Sequence, residues 1–383
     1  MRRIFNRNLD SEDLPNIRRR GKKNRPKDKP YLQQKLVGYR PLLTLRVGLV
    51  VIAILEIFLV ASGCFLFLLV NAAKEHTIDY TNCTQLNDTN NNNYLEFPND
   101  GITSSFEGIE TSGNGNIKCI YKINLTTTYD GSVKFYYGMN NFYQNMRLYV
   151  RSRNDEQLQG KKLSMVDDCQ PFKHRNNTKN RRFPIAPCGA VANSFFNDTF
   201  ALKYYYNGTE IPVPWTTNGL IDEGVKTKYK NPQYSLKSNL CEAFANTIRP
   251  PAWPQDICTL DDNEGGLGFE NFDFMVWMQT AALPDFRKIY RQLDIRNETF
   301  RDGLPPGTYI LYINFNYPVK EFNGNKRFII AIESKMGTKN YFLPTIYLST
   351  AVALFFATIF LVVVECCPCA GLNNKLRQVA KHF

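Results

Sequence analysis

The sequence predicts a two-pass membrane protein with a large, mostly-β domain between two transmembrane helices. We expect this domain to consist of antiparallel sheet with minor helix, and to be disulfide-bonded and glycosylated. Two long apolar runs, one near each end, predict the spans. Cysteines and Asn-x-Thr sequons concentrate between the runs, together with aromatic segments of strand length. Of the 383 residues, 43% are hydrophobic, which suffices for a packed core and excludes wholesale disorder.

The first element, residues 1–46, is a basic tail. It carries 14 Lys and Arg against 4 Asp and Glu, whereas residues 71–341 carry 30 against 29. The net charge of +12 therefore belongs mainly to the tail, and a nucleic-acid-binding domain is not expected. Two interpretations stay open: a solvated tail that only sets topology, or a tail that contacts an anionic cytosolic leaflet at about 1 kcal/mol per well-placed basic residue.

The second element, residues 47–70, is the first predicted span. Its 24 residues carry a single charge, Glu56, and as a helix they would extend roughly 36 Å, enough to cross a hydrocarbon core of about 30 Å. The 46 residues before it are far too many for the n-region of a cleaved signal peptide, which indicates a retained signal anchor. The positive-inside rule then predicts that residues 1–46 are cytosolic.

The second predicted span covers residues 342–364, which contain no charge. Residues 365–383 form a short tail with Lys375, Arg377 and Lys381, so this end is also predicted to be cytosolic. Residues 71–341 would consequently form one lumenal or extracellular β-rich domain.

The composition of residues 71–341 fits an oxidising, glycosylating compartment. Six of the ten cysteines lie here, and six cysteines allow fifteen disulfide pairings, among which the residues alone do not choose. The candidate disulfide cysteines are Cys83, Cys119, Cys169, Cys188, Cys241 and Cys258. The candidate glycosylation sites are Asn82, Asn87, Asn124, Asn176, Asn197, Asn207 and Asn297.

Local patterns predict several elements inside this domain. Ser132–Gly138 and Thr199–Tyr206 have the aromatic content of strands. Two apolar runs on either side of Asn323-Gly324 predict a hairpin over residues 308–334. The segment Phe274–Leu293 has a helical pattern interrupted at Pro284.

No constellation of reactive residues predicts catalysis. The three histidines are His76, which abuts the first span, His174, and His382, which is the penultimate residue. A Ser-His-Asp site would therefore depend on His174 alone, in a basic, sequon-bearing stretch. We therefore expect no catalytic, cofactor-binding or metal-binding residues and no cofactor.

Two features of the membrane segments invite functional interpretations. Glu56 near the middle of the first span is costly unless paired, so it either bonds within this chain or contacts a polar group of a partner in the membrane. Juxtamembrane cysteines Cys366, Cys367 and Cys369 are candidates for palmitoylation, the alternative being plain reduced thiols.

Four blocks of sequence resemble the cell cycle control protein 50 family, the accessory β subunits of type IV P-type ATPase phospholipid flippases. The likeness runs from about Gln33 to Leu348 and is carried by these blocks together with Arg147, Tyr149 and Arg151-Ser152-Arg153. The blocks are Tyr137–Asn145, Pro184–Ser194 with the sequon at Asn197, Asp273–Met278 with Thr280–Pro284 and Phe286–Lys288, and Lys326-Arg327 with Met336-Gly337 and Lys339-Asn340.

The resemblance implies a lumenal domain of antiparallel sheets, a Cys169–Cys188 disulfide, and glycans at Asn124, Asn197 and Asn207. A Cys83–Cys119 pair also fits the family, whereas its pattern does not supply a Cys241–Cys258 pair. The resemblance further implies a non-catalytic subunit in a heterodimer with the ATPase α subunit. Its role would be to support the folding, export from the endoplasmic reticulum and localisation of the ATPase, and aminophospholipid translocation to the cytosolic leaflet.

The implied locations are the endoplasmic reticulum, the Golgi and endosomes, and the plasma membrane. An alternative function is a stand-alone glycosylated receptor for adhesion or ligand binding, because a two-pass glycoprotein with an aromatic-rich outer domain could serve there. Co-purification with a P-type ATPase separates the two interpretations.

Overall fold

The computed structural model describes residues 29, 45–85, 101–111, 115–233, 239–260, 265–334, 337 and 339–366. Its internal contacts separate two units, one of residues 58–353 and one of residues 1–57 with 354–383. In the second unit the described residues are Lys29 and helical segments at 45–57 and 354–366. The first unit contains all the sheets.

Two long helices stand at the two ends of the described chain. The helices are α1 (Leu45–Asn71), α2 (Arg147–Arg151), α3 (Asp155–Leu158), α4 (Ala190–Asn193), α5 (Glu223–Lys226), α6 (Leu240–Ala243), α7 (Phe272–Met278) and α8 (Phe342–Cys366). Within α1 and α8, the segments Val47–Asn71 and Phe342–Val363 are long and apolar enough to cross a membrane, and only 6% of each is buried. Because apolar surface that stays exposed is stable in lipid, the low burial favours spans over core helices.

Fourteen strands are described, and every pair of them is antiparallel. They are β1 (Lys74–Asp79), β2 (Ile102–Thr111), β3 (Ile117–Leu125), β4 (Tyr129–Asp130), β5 (Val133–Met139), β6 (His174–Asn176), β7 (Arg182–Pro184), β8 (Thr199–Tyr206), β9 (Thr209–Pro212), β10 (Trp215–Thr216), β11 (Phe286–Leu293), β12 (Gly303–Leu304), β13 (Gly307–Phe315) and β14 (Lys326–Ile332).

These strands form two five-stranded sheets and two small ribbons. Sheet 1 has the order β1-β14-β5-β11-β10, and sheet 2 has the order β2-β3-β13-β8-β9. The ribbons are β12 with β4 and β6 with β7. The predicted fold class, a mostly antiparallel domain between two apolar helices, is therefore confirmed.

The inner faces of the two sheets pack against each other through aromatic side chains. In sheet 2, β3 buries alternate residues such as Tyr121 and Ile123, while Lys118 and Lys122 point outward, the period-2 pattern of a half-buried strand. Phe200 of β8 contacts Phe328 of β14 with ring centroids 4.8 Å apart. Such contacts between sheets form one continuous core.

The ends of sheet 1 have a defined relation to the helices. Strand β1 starts three residues after α1, and β14 ends at Ile332, which pairs with Lys74 and with Val133. We call the strand ends at Lys74, Val133 and Ile332 the helix-proximal end of sheet 1. The other end, where Met139 lies opposite Lys326 and Phe286, is about 20 Å away for strands of this length; we call it the distal end.

Two local predictions were wrong. Strands β13 and β14 do not form a hairpin, because β13 pairs within sheet 2 and β14 within sheet 1, although the chain does turn at Asn323, whose φ is 52°. The helical pattern was correct only for α7, and Phe286–Leu293 is strand β11. The predicted strands Ser132–Gly138 and Thr199–Tyr206 are confirmed as β5 and β8.

Candidate partner-binding surface

Two loops that meet at the distal end of sheet 1 form the candidate site. One loop follows β5 and leads into α2, and the other connects α7 to β11. The backbone N–H of Phe142 donates to Pro284 O at 3.2 Å, and Asn145 Nδ2 donates to Ala282 O at 2.9 Å. These bonds join two loops that are about 140 residues apart in sequence.

Four large apolar side chains project from these loops into solvent. Their exposed fractions are 54% for Tyr143, 57% for Met146, 77% for Leu148 and 67% for Leu283. Arg147 and Arg151 are exposed beside them on α2, and neither has an ion-pair partner in the described part of the chain. We call these six residues the distal patch.

The layer beneath the distal patch is tightly packed. Gln144 is fully buried, and its Oε1 accepts a hydrogen bond from the backbone N–H of Ala281 at 2.8 Å. The Phe142 ring contacts Trp277, Phe286 and Phe322. Because the supporting groups are packed and hydrogen-bonded, the exposed side chains lose little backbone freedom when a partner binds. Tyr, Met and Arg are the residue types enriched at interfaces.

A buried lysine fixes the end of α7 just below these loops. Lys288 Nζ donates to Val276 O and Trp277 O, both at 3.0 Å, and also to Gln279 O. The last carbonyls of a helix lack partners within the helix, so the ammonium acts as a C-cap. Burial lowers the pKa of Lys288 to about 7.

A second buried cation lies at the centre of the domain. Lys326 and Asp198 have fully buried side chains, and Nζ lies 2.7 Å from Oδ2. The Tyr80 hydroxyl donates to the same oxygen at 3.0 Å, while Oδ1 accepts the backbone N–H groups of Asn316 and Tyr317. Burial lowers the pKa of Lys326, and the carboxylate offsets part of that effect. Burial and the same carboxylate raise the pKa of Tyr80 well above its usual value.

The six candidate cysteines form three disulfides between sequence neighbours. Cys83 pairs with Cys119, Cys169 with Cys188, and Cys241 with Cys258. The first two pairs agree with the family resemblance, and the third is an addition to it. Each bond closes a loop of a few tens of residues at most, since the partners are 36, 19 and 17 positions apart.

The candidate glycosylation sites differ in exposure. Asn82, Asn176, Asn207 and Asn297 are exposed, Asn124 and Asn197 are half-buried, and Asn87 lies outside the described residues. Asn207 lies in the tight turn between β8 and β9 with φ at 48°. Asn197 directly precedes the buried Asp198.

The structure describes two of the four candidate residues of the predicted membrane segments. Glu56 is half-buried in α1. Cys366 is the last residue of α8, and Cys367 and Cys369 lie outside the described residues. Across the described ranges, no three His, Cys, Asp or Glu side chains are grouped as a metal site would require.

Residue patterns alone missed the distal patch and the two buried lysines. The signal for the patch was present, because Tyr143, Arg147 and Arg151 fall in or beside the first block of the family resemblance. Lys288 and Lys326 also fall in blocks of the family resemblance, but residue patterns do not show that they are buried. The carbonyls bound by Lys288 lie 9 to 12 positions earlier, and the carboxylate bound by Lys326 lies 128 positions earlier.

Comparison with known proteins gives long, high-coverage matches. The mouse protein "Cell cycle control protein 50A" is 36% identical over 354 residues, which cover 90% of each chain. The human protein "Cell cycle control protein 50B" is 34% identical, with 85% of this chain and 89% of the relative covered. A yeast protein named "Phospholipid-transporting ATPase accessory subunit CRF1" is 29% identical, with 89% and 85% covered.

The profile of the LEM3 (ligand-effect modulator 3) family / CDC50 family matches residues 66–369. This range includes all fourteen strands, the three disulfides and the distal patch. By this match and by relatives more than 30% identical over most of their length, the chain belongs to the LEM3/CDC50 family.

Proposed function

We propose that this chain is the non-catalytic accessory β subunit of a type IV P-type ATPase phospholipid flippase. The observation that carries the proposal is family membership together with the yeast relative, whose name states that it is an accessory subunit of a phospholipid-transporting ATPase. In the proposed complex, the ATPase α subunit performs nucleotide hydrolysis and lipid transport, and this chain forms a heterodimer with it in a phospholipid membrane.

The proposed topology places both termini in the cytosol and residues 71–341 in the lumen or outside the cell. The basic residues of the two tails, the three disulfides and the sequons all support it. The proposed working membranes are those of the endoplasmic reticulum, the Golgi and endosomes, and the plasma membrane.

The proposed role is to support folding of the ATPase, its exit from the endoplasmic reticulum and its localisation, and aminophospholipid translocation from the outer or lumenal leaflet. An accessory subunit can affect transport only through contacts whose free energies differ between transport conformations. A disulfide-bonded domain with a rigid patch is suited to such contacts, because it does not deform when the partner changes shape.

Within this complex, we propose that the distal patch binds a segment exposed on the lumenal side of the ATPase. Four exposed apolar side chains, flanked by two arginines that have no ion-pair partner among the described residues, fit a segment with apolar and acidic residues. The distance of about 20 Å along sheet 1 requires that this segment reach beyond the helix-proximal end.

Glu56 and the juxtamembrane cysteines have proposed roles in the same complex. Glu56 would contact a polar group of an ATPase span, because an unpaired carboxylate inside a membrane is costly. Palmitoylation of Cys366, Cys367 or Cys369 would hold the end of α8 at the cytosolic surface. Glu56→Leu should lower recovery of the complex; unchanged recovery would remove this contact from the proposal.

Co-purification tests the proposed function. We expect mild-detergent purification of the full chain from its native membranes to recover a large P-type ATPase in near-equal amounts. Depletion of the chain should then reduce lipid translocation by these membranes. Consistent isolation of the chain alone would instead favour the receptor alternative.

Two tyrosine variants test the distal patch. Tyr143→Ala removes an anchor from the patch, and loss of an interface hot spot typically costs more than about 1 kcal/mol, or at least fivefold in affinity. Tyr205→Ala is the matched control, because Tyr205 is 47% exposed against 54% for Tyr143 and lies on β8, away from the patch. Equal recovery of the ATPase by both variants would exclude the patch as the interface.

A further inference from the structure

A cavity beside the Asn197 sequon opens at the edge of the aromatic core and shares no residue with the distal patch. Its volume is about 390 Å³, and its lining includes Phe195, Asn197, Gln255, Leu260, Asn271 and Tyr290. This volume falls at the lower end of the range of about 300–1,000 Å³ that is typical of small-molecule sites. The lining combines aromatic and aliphatic walls with amide groups and with two acidic residues, Asp198 and Asp273, which are paired with Lys326 and Arg291.

The sequon is held at all three positions, through the backbone carbonyl of Asn197 and the side chains of Asp198 and Thr199. The carbonyl of Asn197 accepts from Asn316 Nδ2 at 3.0 Å, and Asp198 is bound in the central ion pair. The Thr199 hydroxyl accepts from Asn314 Nδ2 at 2.7 Å. A glycan on Asn197 therefore leaves the protein from a fixed position at the wall of the cavity.

Polar groups at the cavity lack partners that a sugar would supply. Asn197 Oδ1 is buried and makes no hydrogen bond within the described residues. The exposed amide of Gln255 at the rim likewise has no partner in the described part of the chain. Leaving a buried polar atom unpaired is unfavourable, and a hydroxyl or acetamido N–H of a sugar in the cavity would supply the missing donor for Asn197 Oδ1.

We infer that the cavity holds the first N-acetylglucosamine of a glycan attached to Asn197, so that this sugar is a packed part of the fold. The inference rests on the lumenal placement proposed above. The bond joins Asn197 Nδ2 to C1 of the sugar; a lipid-linked oligosaccharide pyrophosphate is the donor, the lipid pyrophosphate leaves, and the amide loses one proton. Because the cavity forms around Asn197 only when the domain folds, the glycan must be attached before folding.

Asn207 is the natural control within the same chain. Its side chain is exposed on the turn between β8 and β9, and a Cβ added at the next residue, Gly208, would meet no atom within 4 Å. A glycan on Asn207 would therefore project into solvent, where a glycosidase reaches it freely.

Site-resolved deglycosylation of the full chain tests the inference. The chain is produced in secretory cells, solubilised in mild detergent and treated with peptide-N-glycosidase, which leaves aspartate at each released site. Mass spectrometry of the peptides follows release at Asn197 and Asn207 over time. We expect native release at Asn197 to be at least tenfold slower than at Asn207, and the two rates to become equal after reduction and denaturation.

A substitution at Gln255, on the rim of the cavity, tests whether the sugar lies in this cavity. Gln255→Ala should increase native release at Asn197 severalfold and leave Asn207 unchanged, whereas Gln233→Ala, an exposed glutamine at a different cavity, should change neither rate. Equal native rates at the two sites, or no effect of Gln255→Ala, would overturn the inference. The inference would also be overturned if Asn207 carried a glycan and Asn197 did not. If neither carries a glycan, the lumenal placement fails as well, whereas failure to recover an ATPase leaves the sugar seat unaffected.

Discussion

At the residue scale, two lysines stabilise this domain from positions where lysine is rarely found. Each is compensated differently: Lys326 by the carboxylate of Asp198 and the carbonyl of Tyr317, and Lys288 by three backbone carbonyls without a carboxylate. A buried charge without partners would cost several kcal/mol, so both sites depend on their complete set of contacts. The two sites also differ in how they respond to pH.

The first prediction concerns the ion pair of Asp198 with Lys326. Lys326→Met leaves a buried carboxylate without its cation and should lower the free energy of unfolding by about 3–5 kcal/mol. Asp198→Asn should have a comparable effect, and it preserves the Asn197 sequon. Thermal unfolding of the detergent-solubilised chain measures both.

The control for this prediction is Lys118→Met. Lys118 pairs with Glu110 at 3.6 Å on the solvent-facing side of sheet 2. Exposed pairs contribute about 0–1 kcal/mol. If Lys326→Met were no more destabilising than Lys118→Met, the central pair would contribute nothing beyond an ordinary surface contact.

The second prediction is a pH dependence from Lys288. Its pKa in the folded protein is about 7 because of burial, well below the ordinary value of 10.5 that the unfolded chain has. Between these two values the unfolded chain binds more protons, so the free energy of unfolding rises as pH rises from about 7 and is flat below that. One such group contributes at most about 1.4 kcal/mol per pH unit.

Lys288→Met isolates this contribution. We subtract the unfolding free energy of the variant from that of the original chain at each pH. This difference should increase from pH 7 to 9.5 and stay constant below pH 7. The buried tyrosines, whose pKa values burial raises, make each chain less stable at higher pH, but they are present in both chains and their contribution cancels in the difference. A difference that does not depend on pH would mean that the carbonyls hold the ammonium charged throughout.

At the element scale, strand β11 shows why the sequence predicted a helix where the structure has a strand. Its apolar residues Phe286, Ile289, Tyr290 and Leu293 recur at spacings of three and four, as in a helix. The strand buries charged residues as well, Lys288 and Arg291, and an irregularity between Ile289 and Arg291 shifts its phase. Hydrophobic periodicity cannot detect either effect.

The remaining strands show where local reasoning succeeds. Strand β8 alternates buried and exposed residues, and its bounds were predicted correctly. Strand β14 was found as a strand, but its partners are β1 and β5, about 250 and 190 residues earlier in the chain. Two strands that are consecutive in sequence form a hairpin only when both belong to the same sheet. The sheet that a strand joins depends on distant segments, so the local sequence does not reveal it. The distal patch has a partial signal in the first block of the family resemblance, but its two loops meet only after sheet 1 has formed, so the sequence does not show that they form one surface.

The third prediction concerns Gly189, the N-cap residue that immediately precedes α4. Its φ is 97°, and a Cβ added there would lie 2.0 Å from Ser152 O, which belongs to the backbone and cannot rotate away. Gly189→Ala should therefore cost more than the about 1–3 kcal/mol of a strained backbone alone. Gly208→Ala is the matched control, since Gly208 has φ at 82° but open space around it. Equal losses of thermal stability would show that strain, and not the contact with Ser152, sets the cost.

At the scale of the whole molecule, the sheets of the 58–353 unit are attached to two helix segments that contact each other closely. A Cβ at Gly63 of α1 would lie 2.9 Å from Leu348 Cδ2 of α8, and Tyr341 donates to Asn71 Oδ1 at 2.7 Å where the helices meet the domain. Small residues at such contacts let helix backbones approach in a membrane, where burial of apolar surface gives no driving force. Most other side chains of the two helices are exposed and apolar, and so are available to lipid or to the spans of a partner.

The fourth prediction tests whether this helix contact sets the geometry that the complex requires. Gly63→Ile should separate α1 from α8 or force both to shift, an overpacking cost of about 1–3 kcal/mol that lowers the unfolding temperature by roughly 2–10 °C. Gly48→Ile adds the same side chain at a glycine with no atom within 4 Å of an added Cβ, and it should leave the unfolding temperature unchanged. If the ATPase binds both the domain and the helices, Gly63→Ile should also reduce its recovery beyond what the loss of stability explains, because the two binding surfaces would no longer be in register. A chain destabilised by Gly63→Ile that still recovers the ATPase in full would instead mean that one of the two surfaces is sufficient for the complex.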